Sequence, residues 1–354
     1  MKLLHLITTI ERGGAENQLA ILCKEQISLG YEVWVVYLKG NPELFEDFHK
    51  QGVKVVSFVN FTLLSQIFHL KKLVRTNCFD LIHAHLPRSE LLASLAFTNI
   101  PIIISRHNSE RFLPRGPASL SKFLSRFCLS RSSSRIAISK SVLDFLEISQ
   151  EKSNKHLFDI VYYGFQFQDL DFKPSQEELS QHVKILSIGR LVTQKDFSTF
   201  LRGLSFLKLR NISFHASIVG AGNLESELKE LSHNLGIDGN LSWRGRTKNT
   251  RAVYLDSDLF VLTSLYEGFG LVLVEAINFG LPIVCSRFAA ALEVLGTDYS
   301  GFFEIGNAEE LSLKIEWAIH NRSHLIYQLE KRKSLFDSVD MAKQIDNIYK
   351  NVLK

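Results

Sequence analysis

Short, continuously apolar runs alternate with stretches of helical periodicity along most of the chain. LLHLITT comes first. GGAENQLAILCKEQISLG follows it, with Ala15, Leu19, Leu22 and the Gln26/Ile27 pair on one helical face and Gly30 as a stop. YEVWVVYL reads as a second strand, so the chain begins β-α-β with Gly13 and Gly14 in the first turn. Further strands are expected in VKVVSFV near residue 53, FDLIHAH near 80, PIIIS near 101 and RIAIS near 135. Fully apolar strands separated by helices imply a parallel sheet covered on both faces, and hence a doubly wound α/β domain.

At residues 164–182, GFQFQDLDFKPSQEELSQH, the apolar periodicity is lost, as expected of an inter-domain linker. A second β-α series then runs through KILSIG, FHASIVG, LSWRG, LFVLTS, PIVCS and GFFEI, ending in the helix NAEELSLKIEWAIH. The tail carries Met341, Ile345, Ile348 and Val352 at helical spacing, suited to closing the second domain or returning to the first. The expected boundaries are a first domain at 1–165, a linker at 166–182, a second domain at 183–335 and a terminal helix at 336–354.

A length of 354 residues fits two cores of similar size. The content of 45% hydrophobic and 22% charged residues is that of an ordinary globular chain. Glu11 and Arg12 break the first apolar run and no small-residue cleavage site follows, which argues against a signal peptide. No run approaches the ~18 apolar residues of a membrane span. Cys23, Cys78, Cys128 and Cys285 are scattered without metal-ligand spacing and read as small core residues of a reduced, cytoplasmic protein. Charge changes the picture in one place. Between Arg106 and Lys140 eight bases face one acid, Glu110, a local surplus larger than the net +4 of the whole chain. Phe123, Leu124, Phe127 and Leu129 interleave with these bases, so the segment is either a solvated helix face or a contact for an anionic surface or a phosphate-bearing acceptor.

Candidate chemistry concentrates in strand-to-helix loops. The best dinucleotide match, Gly220-Ala-Gly222-Asn-Leu-Glu225, has glutamate in place of the third glycine, which argues against a nicotinamide enzyme. Gly13 and Gly14 open a helix whose N-terminus could face a phosphate, or simply form a tight turn. Arg190 and Lys195 lie just past the strand KILSIG, where two cations could neutralise a leaving diphosphate or merely be solvated. In LTSLYEGFGLVLVEAINFGLP, residues 262–282, Glu267 falls in the loop and Glu275 about one turn into the helix. Glu275 needs a partner among its apolar neighbours, either a ribose diol or a buried cation. Two Asp-x-Asp pairs, Asp169/Asp171 and Asp256/Asp258, are weak metal candidates, the first in the linker and the second at a strand boundary. His83 and His85 point the same way from one strand end, toward an acceptor or into packing, and a metal there would need a third ligand that the sequence does not identify.

Together, GGAExxL at 13–19, HAH at 83–85, GRLVxxKDF at 189–197, IVGAGxLExxL at 218–228 and EGFGLVLVE at 267–275 resemble the retaining GT-B glycosyltransferases of the group-1 family, along nearly the whole chain. The resemblance implies two doubly wound Rossmann-like domains facing each other across a cleft, with the terminal helix crossing back to the first. It assigns Arg190 and Lys195 to the donor diphosphate, Glu275 to the ribose, Glu267 to a place beside the donor sugar, and Phe269, Gly270 and Leu271 to a loop touching sugar and phosphate. Gly14 then approaches the diphosphate from the first domain, and His107 lies near the sugar. Tyr163-Gly164 and Gly-Ala-Gly at 220–222 depart from the family's usual Asn-Gly and Gly-Asp-Gly.

The expectation is a metal-independent, retaining hexosyltransferase without a cofactor, the nucleoside-diphosphate-sugar being its substrate. The acceptor is a glycan or a lipid-linked glycan of surface polysaccharide or glycolipid synthesis. No nucleic-acid partner is expected, and segment 106–140 could place the enzyme peripherally on the inner face of a membrane. A nucleotide-sugar epimerase on the same fold and a non-catalytic nucleotide-sugar-binding module are the alternatives.

Overall fold

The computed structural model describes residues 1–167, 182–247 and 249–354. The chain divides into two units, the first made of Met1–Gln166 with Phe336–Lys354 and the second of Phe167–Leu335. Most of the expected linker, including Asp169 and Asp171, lies outside the described residues.

The first unit holds a seven-stranded parallel sheet of β1 (Lys2–Ile7), β2 (Glu32–Tyr37), β3 (Lys54–Ser57), β4 (Leu81–His85), β5 (Ile102–Arg106), β6 (Ser134–Ala137) and β7 (Asp159–Ile160). Their spatial order is β3-β2-β1-β4-β5-β6-β7. The second unit holds β8 (Val183–Ile188), β9 (Phe214–Val219), β10 (Leu241–Trp243), β11 (Leu259–Leu262), β12 (Ile283–Ser286) and β13 (Phe302–Phe303), in the order β10-β9-β8-β11-β12-β13. Both sheets reverse their winding beside their first strand, at β1/β4 and at β8/β11. In open α/β sheets such a switch point leaves a crevice at the carboxyl ends of the strands.

Burial on both faces explains why the strands read as unbroken apolar runs: all of β4, β5, β11 and β12 is buried. In the first unit alternate residues supply two cores. Leu3, Ile7, Val35, Leu81 and Ile103 pack with Leu19, Leu22 and Cys23 of the first helix, Gly14–Ser28. Leu4, Leu6, Ile82 and Ile104 pack on the other face with Leu70, Leu92 and Leu129. Cys78 departs from its expected core role. It is exposed, ending a helix with a positive φ of 50°, whereas Cys23, Cys128 and Cys285 are buried. Strand β7 and the helix Arg322–Lys333 were not expected, because two exposed residues and a mostly polar helix give little periodic signal.

The last helix, Ser338–Leu353, belongs to the first unit. Asp337 caps it by accepting from the Val339 and Asp340 amides at 2.8 and 3.2 Å. Met341, Ile345 and Tyr349 enter the same core as the first helix. Gly164 permits the approach, since a Cβ there would lie 2.6 Å from Ser338 Cα. This is the physical reason for glycine in Tyr163-Gly164. Gly164→Ala should therefore destabilise the protein by about 1–3 kcal/mol through overpacking. Urea unfolding with an unchanged midpoint would show that the helix docks otherwise.

Candidate functional site

The loops after β8 and β11 flank the switch point of the second sheet and are stapled together. The Leu265 amide donates to Gln194 O at 2.9 Å, Gln194 Nε2 to Tyr266 O at 2.8 Å, and Thr263 Oγ1 to Lys195 O at 2.9 Å. Asp196, in the left-handed region at φ 44°, then caps the helix Phe197–Leu209 through the Thr199 amide and hydroxyl. These bonds fix where Lys195 and Glu267 stand. The two form an ion pair with side chains only 12% exposed, and Ser264 Oγ donates to the same Glu267 carboxylate at 2.7 Å. Arg190 is exposed and forms no ion pair among the described residues. One cation is thus held and a second is available at one crevice.

Glu275 lies one turn into the helix Leu271–Asn278, and its Oε2 accepts from the Tyr254 hydroxyl at 2.8 Å. Tyr254 is itself buried and stacked on Phe279, with ring centroids 5.0 Å apart. Burial pushes the Glu275 carboxyl up from its ordinary range, opposed by the Tyr254 hydrogen bond and by the charge of Lys195. Among the described residues no cation pairs with Glu275, so the buried-cation alternative does not hold and a neutral phenol fills part of the gap. Gly270, at φ 91°, turns the chain into this helix between a buried Phe269 and a half-buried Leu271. Gly220 and Gly222 allow neighbouring loops to touch: Cβ atoms there would lie 1.9 Å from Gly189 O and 2.2 Å from Leu191 O. Asp256 is held by Lys184 at 2.6 Å and Arg244 at 3.6 Å, and Asp258 by Arg322 at 3.4 Å. The pair is neutralised by cations, as suits a strand boundary.

In the first unit the loop after β1 leads to Gly14, which opens the first helix and is exposed at the β1/β4 switch point. His107 follows β5 and is half-buried. Its Nε2 is 3.1 Å from His85 Nδ1, and its Nδ1 is 2.6 Å from the Tyr163 hydroxyl. His83 and His85 do not face an acceptor. They are 0% and 2% exposed, and both nitrogens of His83 are taken, by Tyr349 at 2.6 Å and Ser105 at 2.7 Å. Their acceptor-side assignment is corrected on that ground.

The third member missing from this pair in the sequence is His5. It lies across from His83 in the β1/β4 register, and its Nδ1 is 3.0 Å from His85 Nε2. Ring nitrogens of His5, His83 and His85 come within 4.8 Å of one another. Burial drives His5 down to about 4 and His107 to about 3, and lowers His83 and His85 well below their ordinary range.

Arg106 also departs from expectation. It is 4% exposed, with its guanidinium 3.0 Å from Glu90 and 3.7 Å from Glu151, so it is a core charge and no part of a basic surface. Burial raises the Glu90 carboxyl to about 7 against the pull of Arg106. On the helix Ala118–Arg131, Ser121, Ser125, Cys128 and Leu129 face inward. Phe123 (66% exposed) and Leu120 (44%) stand outward with Arg126 and Arg131.

The Glycosyl transferases group 1 family matches residues 169–335, and Glycosyltransferase Family 4 matches residues 12–149. An uncharacterized glycosyltransferase of Haemophilus influenzae is 23% identical over 96% of each chain. A Campylobacter jejuni alpha-1,4-N-acetyl-D-galactosaminyltransferase is 26% identical over 95% of each. Among solved structures, Anabaena HepE in complex with UDP and glucose superposes with a TM-score of 0.83 at 19% identity, over 99% of this chain and 100% of that one. The chain belongs to the group-1 glycosyltransferases and has the GT-B type of fold, two Rossmann-like domains with parallel sheets. Its activity is glycosyl transfer.

The histidine cluster makes a pH prediction. The unfolded chain protonates His5 near 6.5, while the folded chain resists to about 4, so stability present above 6.5 is lost as pH falls toward 4. For His5 alone the loss is roughly 3 kcal/mol at most. Urea midpoints across pH 7 to 4 should fall less steeply in His5→Gln. An equal slope would place the acid sensitivity elsewhere.

Proposed function

We propose that the chain is a retaining glycosyltransferase that moves a sugar from a nucleoside-diphosphate donor to a glycan or lipid-linked acceptor. The observation that carries this reading is the pairing of Lys195 with Glu267, beside an available Arg190, at the switch point of the second sheet. Bound diphosphate would draw Lys195 away from Glu267, whose carboxylate, still held by Ser264, would turn to the donor sugar. Arg190 adds its planar fork, and the amides around Gly270 and Leu271 add the positive end of a helix. Glu275 accepts from the ribose hydroxyls while keeping Tyr254 as its donor. As the bond to the diphosphate breaks, these groups stabilise the charge on the leaving oxygen, and the oxocarbenium-like sugar is attacked on the same face. A phosphate oxygen takes the acceptor's proton, so no protein base is required. Gly14 and His107 are the first unit's proposed contributions to diphosphate and sugar.

The acceptor class draws support from relatives. The Campylobacter enzyme is named for a PP-undecaprenol-linked acceptor, and an Escherichia coli relative, 23% identical over 80% of this chain, for a GlcNAc-diphosphoundecaprenol. An acceptor on a lipid suits the outward Phe123 and Leu120 with their neighbouring arginines, which we assign to an anionic membrane surface at the cytoplasmic face. Among the described residues no helix is long and apolar enough to cross a membrane.

Arg190→Ala and Lys195→Ala should each lower kcat about 100-fold or more with melting temperature little changed. Near-normal transfer by both would sink the assignment. Glu275→Gln should weaken donor affinity more than kcat, measured by calorimetry with a panel of nucleotide sugars beginning with UDP-sugars. Phe123→Asp combined with Leu120→Ser should reduce co-sedimentation with anionic vesicles by roughly tenfold or more. Unchanged sedimentation would remove the membrane contact.

A further inference from the structure

His5, His83 and His85, with the half-buried His107, belong to one continuous hydrogen-bonded chain. Beyond the contacts given above, His5 Nε2 lies 2.8 Å from Gln26 Oε1, and Gln26 Nε2 lies 3.2 Å from the Tyr349 hydroxyl. The path runs Tyr163, His107, His85, His5, Gln26, Tyr349, His83, Ser105. A neutral imidazole has one N–H and one lone pair, so fixing one proton fixes its neighbours. Gln26 supplies the fixed point. Its carbonyl faces His5, so His5 Nε2 donates and His5 Nδ1 must accept from His85 Nε2–H. His85 Nδ1 then accepts from His107 Nε2–H, and His107 Nδ1 accepts from the Tyr163 hydroxyl. On the other branch the Gln26 amide donates to Tyr349, Tyr349 donates to His83 Nδ1, and His83 Nε2–H donates to Ser105. Every imidazole is neutral and every ring nitrogen is satisfied.

We propose that this chain is a positioning network, in which Gln26 and Tyr349 act through His5 and His85 to hold His107 with its proton on Nε2, directed inward. The inference rests on the reading that His107 serves the transferred sugar. His107 can then only accept at Nδ1, so a sugar hydroxyl that meets the ring donates to it, displacing Tyr163. Burial keeps these groups neutral and the charges nearby add to it: Arg106 opposes protonation of His107, while Glu16 and Asp346 oppose ionisation of Tyr163 and Tyr349. A metal on His5, His83 and His85 would have to break the bonds that this order satisfies.

The test is nitrogen-15 NMR of histidine-labelled full-length protein at pH 7, with elemental analysis of the same sample. His5, His83, His85 and His107 should all appear as neutral Nε2–H tautomers. Any of them protonated on Nδ1, or a stoichiometric metal ion, would overturn the network. In Gln26→Glu the carboxylate can only accept, so Tyr349 must donate to it and His83 alone should switch to the Nδ1–H form. Tyr349→Phe frees the Gln26 amide to turn and should mix the tautomers of His107. It should lower kcat about threefold to tenfold, the scale of one hydrogen bond, with donor KM unchanged. Adding Tyr349→Phe to His107→Gln should lower kcat no further. An equal loss on both backgrounds would overturn the positioning role. Normal transfer by His107→Gln, with the tautomers intact, would refute the sugar-side reading of His107 and not the proton order.

Discussion

Where β1 meets β4, and again where β8 meets β11, the winding of the sheet changes direction. Right-handed crossovers carry the following helices to opposite faces, so the two central loops part and leave a gap at the carboxyl ends of the strands. In each domain polar side chains gather beside that gap. In the second domain the loops after β8 and β11 are tied to each other by backbone and side-chain hydrogen bonds, which hold Lys195 and Glu267 as an ion pair. The sheet thus supplies the opening, and the staples supply its rigidity.

The two domains handle polarity in different ways. The second keeps charges at its gap, half-sheltered and mutually paired, where an anion can compete for the cation. The first fills the same region of its sheet with neutral imidazoles, phenols and one amide, and keeps its buried charges apart in the Arg106, Glu90 and Glu151 cluster. Neutral groups that satisfy one another avoid the large desolvation penalty of buried ions, provided that none is left unpaired. A single substitution in such a chain reaches distant members through proton order, without moving backbone.

The alternation of apolar runs and helices is legible in the sequence because parallel strands are buried on both faces and helices are not. Arg190, Lys195 and Glu267 are legible because each lies just past a recognisable strand, and Glu275 because a carboxylate stands out in an apolar helix; the family resemblance is what joins the four as a set. What the sequence hides is pairing at long range. His5 reads as one polar residue in LLHLITT, and its partners lie 78 and 80 residues away, visible only once β1 and β4 are in register. Tyr254 carries no mark of its bond to Glu275. Arg106 counts as one base among eight, although folding sets it between two buried glutamates. Local charge arithmetic cannot distinguish such a core ion from a solvated one.

The last helix has a consequence for the order in which the protein can be made. Its Met341, Ile345 and Tyr349 complete the core begun by Leu3 and Leu19, more than 300 residues earlier in the chain. Domains generally fold in the order in which they are synthesised, but here the first domain cannot close its core before the second has been translated. Until then Leu19, Leu22 and Cys23 lack part of their cover, and the buried imidazoles lack the phenol of Tyr349. The nascent first domain thus keeps apolar surface exposed to water until the final turns of helix arrive.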